Sequence, residues 1–247
     1  MQRMGYTKSF MLHLTYDFHI HTCLSPCADD DMTPTNIVMM AALKGLDVIA
    51  ITDHNSCRNC KAAIEIGKKN DILVIPGMEL TTSEEVHVIC LFAELEDAMK
   101  FDSYVYEHLI KVKNKEKIFG NQLVVDEEEA VVEREEFLLI NATTISFSEV
   151  YELVSTYHGV MIPAHIDKNS NSVISNLGFF PPDSRFTCVE LIKLENRESL
   201  LYSNPHLHQC RVISDSDAHS LGQINEPIFV LPVLKKSSMS VLKALKV

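Results

Sequence analysis

The chain is expected to fold as one α/β domain, a closed or nearly closed (β/α) barrel. Three observations predict this. Short apolar runs alternate with helical patterns, which is the signature of a mainly parallel sheet. About seven such runs are present, more than a short open sheet uses. Polar side chains able to bind metal stand at the ends of successive apolar runs, the rim where a barrel collects its chemistry. The 247 residues suit this class, because (β/α) barrels run to about 250 residues as a single unit.

The elements follow in order. Residues 14–21 (LTYDFHIH) read as a strand, preceded by an extension over 1–13. Residues 33–45 read as a helix: Thr33 caps it, Pro34 occupies its first turn and Gly45 stops it. Residues 47–52 form a buried strand and 57–70 a helix. Residues 72–80 and 86–92 are strands. The stretch 94–118 reads as helical, and the acidic stretch 124–137 as a partly helical, solvated segment. Together they make an insertion over 94–145 in a barrel domain spanning 14–247. A helix over 147–159 ends at Gly159. Strands follow at 160–165, 186–194 and 210–217, then a last apolar run at 227–233 and a closing helix at 237–247.

Composition excludes some classes. No apolar run approaches the ~20 residues of a membrane span, so no membrane association is expected. No signal peptide is read at the start, Met11 is a candidate start site, and a cytoplasmic location is expected. The seven cysteines are odd in number and read as reduced thiols rather than a disulfide framework. The formal net charge of −12 argues against binding duplex DNA, which needs basic residues to neutralise phosphates. It leaves room for a small phosphorylated substrate, because bound cations can reverse the local field.

The strand-end residues carry the functional signal. His19 and His21 are two apart, so a regular strand puts both on one face with Asp17, while Phe18 and Ile20 point away. Alone, such a pair is either a chelate or two histidines of an ordinary strand. The next run ends in Asp53 and His54, and the third in Glu79, a carboxylate that must be solvated, capping or metal-bound. His87 lies inside the fourth, His165 ends the fifth, and Asp215, Asp217 and His219 close the series. Five or six histidines with two or three carboxylates exceed one four-coordinate zinc site, so a multinuclear centre fits better.

Taken in order, "DFHIHT", "ITDHN", "GMELTT…VHVICLF", "IPAHID" and "SDSDAH" resemble the motifs of the PHP (polymerase and histidinol phosphatase) superfamily, over about residues 14 to 222. The resemblance implies a distorted (β/α)7 barrel, two or three divalent ions (Mn, Fe or Zn) at the C-terminal ends of the strands, and phosphoester hydrolysis. It puts His19, His21, His54, Glu79, His87, His165, Asp217 and His219 on metal-ligand positions. Glu79 is then the bridging carboxylate, and Glu79, Asp217 and His219 are the candidate catalytic residues. Asp53 falls beside a ligand, where it would hold an imidazole by hydrogen bond. One position departs from the family pattern. The loop after the first pair reads "LSPCADDDM", with Pro26 in place of an acidic residue. Cys27 is the best substitute ligand, with Asp29 and Asp30 as rivals. A thiolate there would favour zinc or iron.

Arg58 and Lys168 stand just past metal-bearing strand ends, and either could clamp a phosphate oxygen. Cys23 and Cys27, with Cys57 and Cys60, sit in two loops that a parallel barrel makes neighbours. They are unrelated thiols, an added metal or cluster site, or a redox pair. The expected substrate is a small phosphomonoester, with nucleotides and short oligonucleotide 5′-ends among the candidates. The rivals are an amidohydrolase-type hydrolase and a non-catalytic metal- or cluster-binding accessory protein.

Overall fold

A computed structural model describes residues 11–246. Most of the extension expected over 1–13 lies outside these residues, and the first strand already begins at Leu12. The strands in chain order are β1 (Leu12–Ile20), β2 (Val48–Ile51), β3 (Leu73–Thr81), β4 (His87–Leu91), β5 (Leu123–Val125), β6 (Val131–Arg134), β7 (Val160–Pro163), β8 (Cys188–Glu190), β9 (Arg211–Ile213) and β10 (Val230–Val233). The helices are α1 (Pro34–Lys44), α2 (Cys60–Lys69), α3 (Leu95–His108), α4 (Glu116–Phe119), α5 (Phe147–Thr156), α6 (Val173–Leu177), α7 (Arg197–Ser203) and α8 (Ser238–Leu245). No described helix is long and apolar enough to cross a membrane.

Six strands form one sheet in the order β10-β1-β2-β3-β4-β7, and β8 pairs with β9. The β1-β2-β3 pairings are parallel, whereas β3-β4, β4-β7 and β1-β10 are antiparallel. Backbone bonds carry the curl further round. Ile166 N donates to Glu190 O beyond β7, and past β9 Ala218 N donates to His19 O while His21 N donates to Ala218 O. The seven strands β1, β2, β3, β4, β7, β8 and β9 therefore follow one another around a distorted barrel. Where β1 and β9 lack a regular ladder, side chains satisfy the backbone. Asp215 accepts from Phe18 N at 2.6 Å and Asp17 from Ser216 N at 3.0 Å.

The interior is filled by one apolar cluster to which all of these strands contribute, including Tyr16, Phe18, Ile75, Ile89, Ile162, Cys188 and Ile213. Helix α8 closes this cluster with Val241, Leu242 and Leu245. The larger cluster lies between the sheet and helices α1, α2, α3 and α5. Leu242→Ala should therefore cost about 2–5 kcal/mol, the range for a buried leucine truncation. A urea unfolding curve checks this, and an unchanged midpoint would show that α8 does not support the interior.

Two local expectations change. The regular alternation on β1 breaks, because the register with β2 slips between Asp17 and Ile20. Phe18 consequently joins Tyr16 in the inner cluster while Ile20 joins the outer one. Phe18 and Ile20 thus do not share a face, and the bulge turns His19 and His21 to the rim. Bulges beside functional sites commonly re-aim side chains in this way.

The insertion differs too. The helix expected over 94–118 stops at His108, and Ile110 and Val112 continue as extended chain. There Leu138 N donates to Val112 O and Asn114 N to Glu136 O. β-branched residues at alternate positions suit that conformation. The segment 124–137 holds a hairpin rather than helix. Val124 and Val125 pair with the strand carrying Val131, and the Asp126 carboxylate accepts from Glu128 N and Ala130 N to make the turn.

Candidate metal centre

Glu79 stands at the centre of the rim, 1% exposed and paired with Ile89 in the stretch of β3 that runs beside β4. Its Oε1 lies 2.8 Å from His87 Nδ1, 3.1 Å from His165 Nε2 and 3.2 Å from His19 Nε2. Its Oε2 lies 3.0 Å from His54 Nδ1 and 3.3 Å from His21 Nε2. Asp217 adds a second carboxylate, with Oδ1 3.3 Å from both His19 Nε2 and His21 Nε2. Three overlapping donor sets result: His19, His21, Glu79 and Asp217; His54, Glu79 and His87; and His21, His54 and His219.

The strands bring these side chains together from five stretches of chain. His19 and His21 follow the β1 bulge, and His54 bridges to Glu79 just past β2. His87 opens β4, opposite Thr81 of β3. His165 (φ 30°) and Asp217 (φ 52°) follow β7 and β9 in left-handed backbone, uncommon outside glycine although Asp and His adopt it more readily than most. Surrounding bonds must hold strain of that kind. At His165 the Glu190 carboxylate does so, accepting from its N–H at 2.7 Å.

Neighbouring groups also fix which ring nitrogens face the centre. Glu190 Oε1 lies 2.9 Å from His19 Nδ1. Ser25 Oγ donates to Asp53 at 2.7 Å and so accepts from His21 Nδ1 at 2.9 Å. With both Nδ1 atoms protonated by these assignments, His19 Nε2 and His21 Nε2 present lone pairs to each other at 3.2 Å. Two facing lone pairs are unfavourable unless a cation sits between or beside them.

His54 Nδ1 and Glu79 Oε2 tell the same story, being buried, 3.0 Å apart and without a hydrogen bond; His165 Nδ1 is also buried and unpartnered. Burial pushes His54 down to about 3. Burial would raise Glu79, but His87, His19 and His54 hold its carboxyl well below the usual range. Burial likewise opposes ionisation of Asp217, but His19 and His21 outweigh it and hold that carboxyl low. Burial would lower His21, yet Asp217 and Glu79 push it up to about 9. The proton held there competes for the place of a divalent ion, and metal binding would release it. These converging imidazole nitrogens, anionic oxygens and unpartnered buried atoms fit a multinuclear metal centre.

The remaining candidates are placed differently. Cys27 lines the cavity above Glu79, but its thiol joins none of the converging donor sets. The residue is exposed, and the nearby Glu79 carboxylate disfavours the thiolate. Lys168 lines the same cavity and its ammonium donates to Asp217. Arg58 does not reach the cavity; it pairs with Glu133 at 2.7 Å and Glu135 at 2.5 Å in the insertion. Asp53 binds Thr22 and Ser25 and reaches His21 only through the serine. Cys57 and Cys60 are fully buried, and no cysteine enters a metal-competent cluster among the described residues.

Glu190 is the main functional side chain that the sequence reading passed over. Its signal was present, since a carboxylate inside the apolar run "FTCVELIKL" must be bonded to something. Ser25 offered no comparable signal.

The family model described as PHP domain matches residues 17–176. An uncharacterized protein of Methanocaldococcus jannaschii is 36% identical over 76 residues, covering 28% of this chain and 44% of that protein. A 5′-3′ exoribonuclease of Haemophilus influenzae is 32% identical over 79 residues, covering 31% of this chain and 28% of that protein. These matches span less than half of either relative. Among solved structures, the lesion-specific endonuclease PfuEndoQ of Pyrococcus furiosus superposes with a TM-score of 0.68 at 18% identity, over 95% of this chain and 56% of that one. Endonuclease Q in complex with a 27-mer duplex bearing an abasic lesion superposes with a TM-score of 0.61 at 18% identity, over 85% of this chain and 50% of that one. A Bifidobacterium adolescentis protein assigned as a metal-dependent phosphoesterase superposes with a TM-score of 0.55 at 19% identity, over 84% of this chain and 88% of that one. At these identities the superpositions establish a shared fold.

Proposed function

The chain belongs to the PHP domain family, and from that premise we propose that it hydrolyses a phosphate ester using two or three divalent ions (Mn, Fe or Zn) held in the histidine–carboxylate cup. The observation that carries this reading is the ring of five imidazoles within 3.3 Å of one buried carboxylate. His19, His21, His54, Glu79, His87, His165, Asp217 and His219 would hold the ions. When bound, these supply Lewis acidity toward phosphoryl oxygens and acidify water, whose pKa falls from ~15.7 toward ~7 at favourable sites.

The protein's own groups orient and charge the site. Glu79 belongs to two donor sets and would tie neighbouring ions together. Glu190 and the Ser25–Asp53 pair keep His19 and His21 in the tautomer that turns Nε2 inward. Lys168 is 40% exposed at the cavity mouth. Burial would lower its pKa, but Asp217 raises it, so the ammonium persists near neutral pH and can meet a phosphate oxygen. The cavity of about 190 Å³ admits a phosphate with the adjoining part of its leaving group. That size favours a phosphomonoester, a nucleotide or the end of an oligonucleotide.

The net charge of −12 does not exclude duplex DNA as a substrate. The fold is shared with an endonuclease solved on a duplex. Net charge sums over the whole surface, whereas a substrate meets the local field of the cup and Lys168.

Cys27 remains the candidate thiolate ligand. Cys27→Ser should then lower metal content per chain by elemental analysis, and unchanged stoichiometry would remove it from the set. The test of the main reading is a panel assayed with Mn, Fe and Zn: phosphomonoesters, nucleotides, 5′-phosphorylated oligomers and an abasic duplex. Turnover of a phosphate ester that tracks metal content is the expected result. A fully metallated protein inert on the whole panel would overturn the reading.

A further inference from the structure

One hydrocarbon side chain, Ile140, stands in a cavity wall otherwise made of polar groups and the Cys27 thiol. It comes from the insertion rather than from the barrel, and its backbone is held on both sides. Asn55 Nδ2 donates to Leu139 O at 2.7 Å and to Asn141 O at 2.8 Å. Asn55 itself is fully buried beside His54, its Oδ1 accepts from Thr81 N at 2.9 Å, and its own N–H donates to Glu79 O at 3.0 Å. Leu139 is buried in a separate apolar cluster with Leu24, Leu109 and Val124, and its N–H donates to Gln122 Oε1 at 2.8 Å. The segment around Ile140 is thus clamped to the same strand ends that carry His54 and Glu79.

A fixed apolar surface facing a cationic cup divides the cavity chemically. The phosphate belongs on the side of Lys168, and the group attached to it meets Ile140. Resting on the phosphoesterase reading, we propose that Ile140 selects the leaving group, favouring esters with a flat apolar face, aryl or nucleobase-bearing, over esters of small polar alcohols. Apolar contact of this size discriminates by about tenfold or somewhat more.

The experiment uses the metal-loaded chain and two readouts. Calorimetry compares binding of phenylphosphonate with methylphosphonate, and kinetics compares kcat/KM for phenyl phosphate with that for glycerol 2-phosphate. The wild type should favour the phenyl member of each pair by about tenfold. Ile140→Ala should remove most of that preference, mainly through KM, with metal content unchanged, while Ile140→Leu should keep it. Equal binding of the two phosphonates by the wild type would overturn the assignment, as would binding of neither or an equal loss for both in Ile140→Ala. If the phosphonates show the Ile140-dependent preference but no ester is hydrolysed, the wall stands and the hydrolytic reading falls.

Discussion

Glu79→Gln should empty much of the cup and lower turnover by more than about a hundredfold, beyond the 10–100-fold that outer partners of a metal site usually give. The carboxylate meets five imidazoles at 2.8 to 3.3 Å and belongs to two of the three donor sets. An amide keeps the shape but loses the charge. It also replaces one oxygen by an NH2 group that points hydrogens at ring nitrogens instead of accepting a cation. Elemental analysis and kcat/KM on the preferred ester measure the two effects. A variant that retained full metal and full activity would show that Glu79 does not bridge.

Glu190→Gln should have the next largest effect, lowering metal affinity by about 10–100-fold. The two Glu190 oxygens face separate hydrogen-bond partners, His19 Nδ1 at 2.9 Å and the His165 backbone N–H at 2.7 Å. Glutamine can accept from only one of them and must turn its own N–H groups toward the other. Either His19 loses the partner that keeps Nε2 free for metal, or the left-handed backbone of His165 loses its anchor. Competition with a chelator gives the affinity directly. Equal affinity in wild type and variant would reduce Glu190 to a packing role.

Much of the site was legible because metal-competent residues stand out against apolar strands. His19, His21, His54, Glu79, His87 and His165 each interrupt or end such a run, and the series itself predicted a barrel rim. Groups that act on the ligands were harder to read. Ser25 sits in a loop of small polar residues, and nothing local says that its hydroxyl links His21 to Asp53. Arg58 is near the site in sequence but not in space. It lies four residues after His54, yet Glu133 and Glu135 from the insertion hold it away from the cavity. In the acidic segment 124–137 the charges suit a solvated helix, but the valines on either side of the turn pair with each other's strands and make a hairpin.

The sequence alone shows which side chains can carry cations, and that several elements deliver them to one end of the fold. Those are consequences of composition and short-range periodicity. The tertiary structure alone decided which atoms face one another. The slip between β1 and β2 reset the alternation at Phe18, and the clamp on residues 139–141 put Ile140 in the cavity wall. The physical reason is that a side chain's direction depends on hydrogen-bond partners distant in the chain, and a rule of period two holds only while the pairing stays in register.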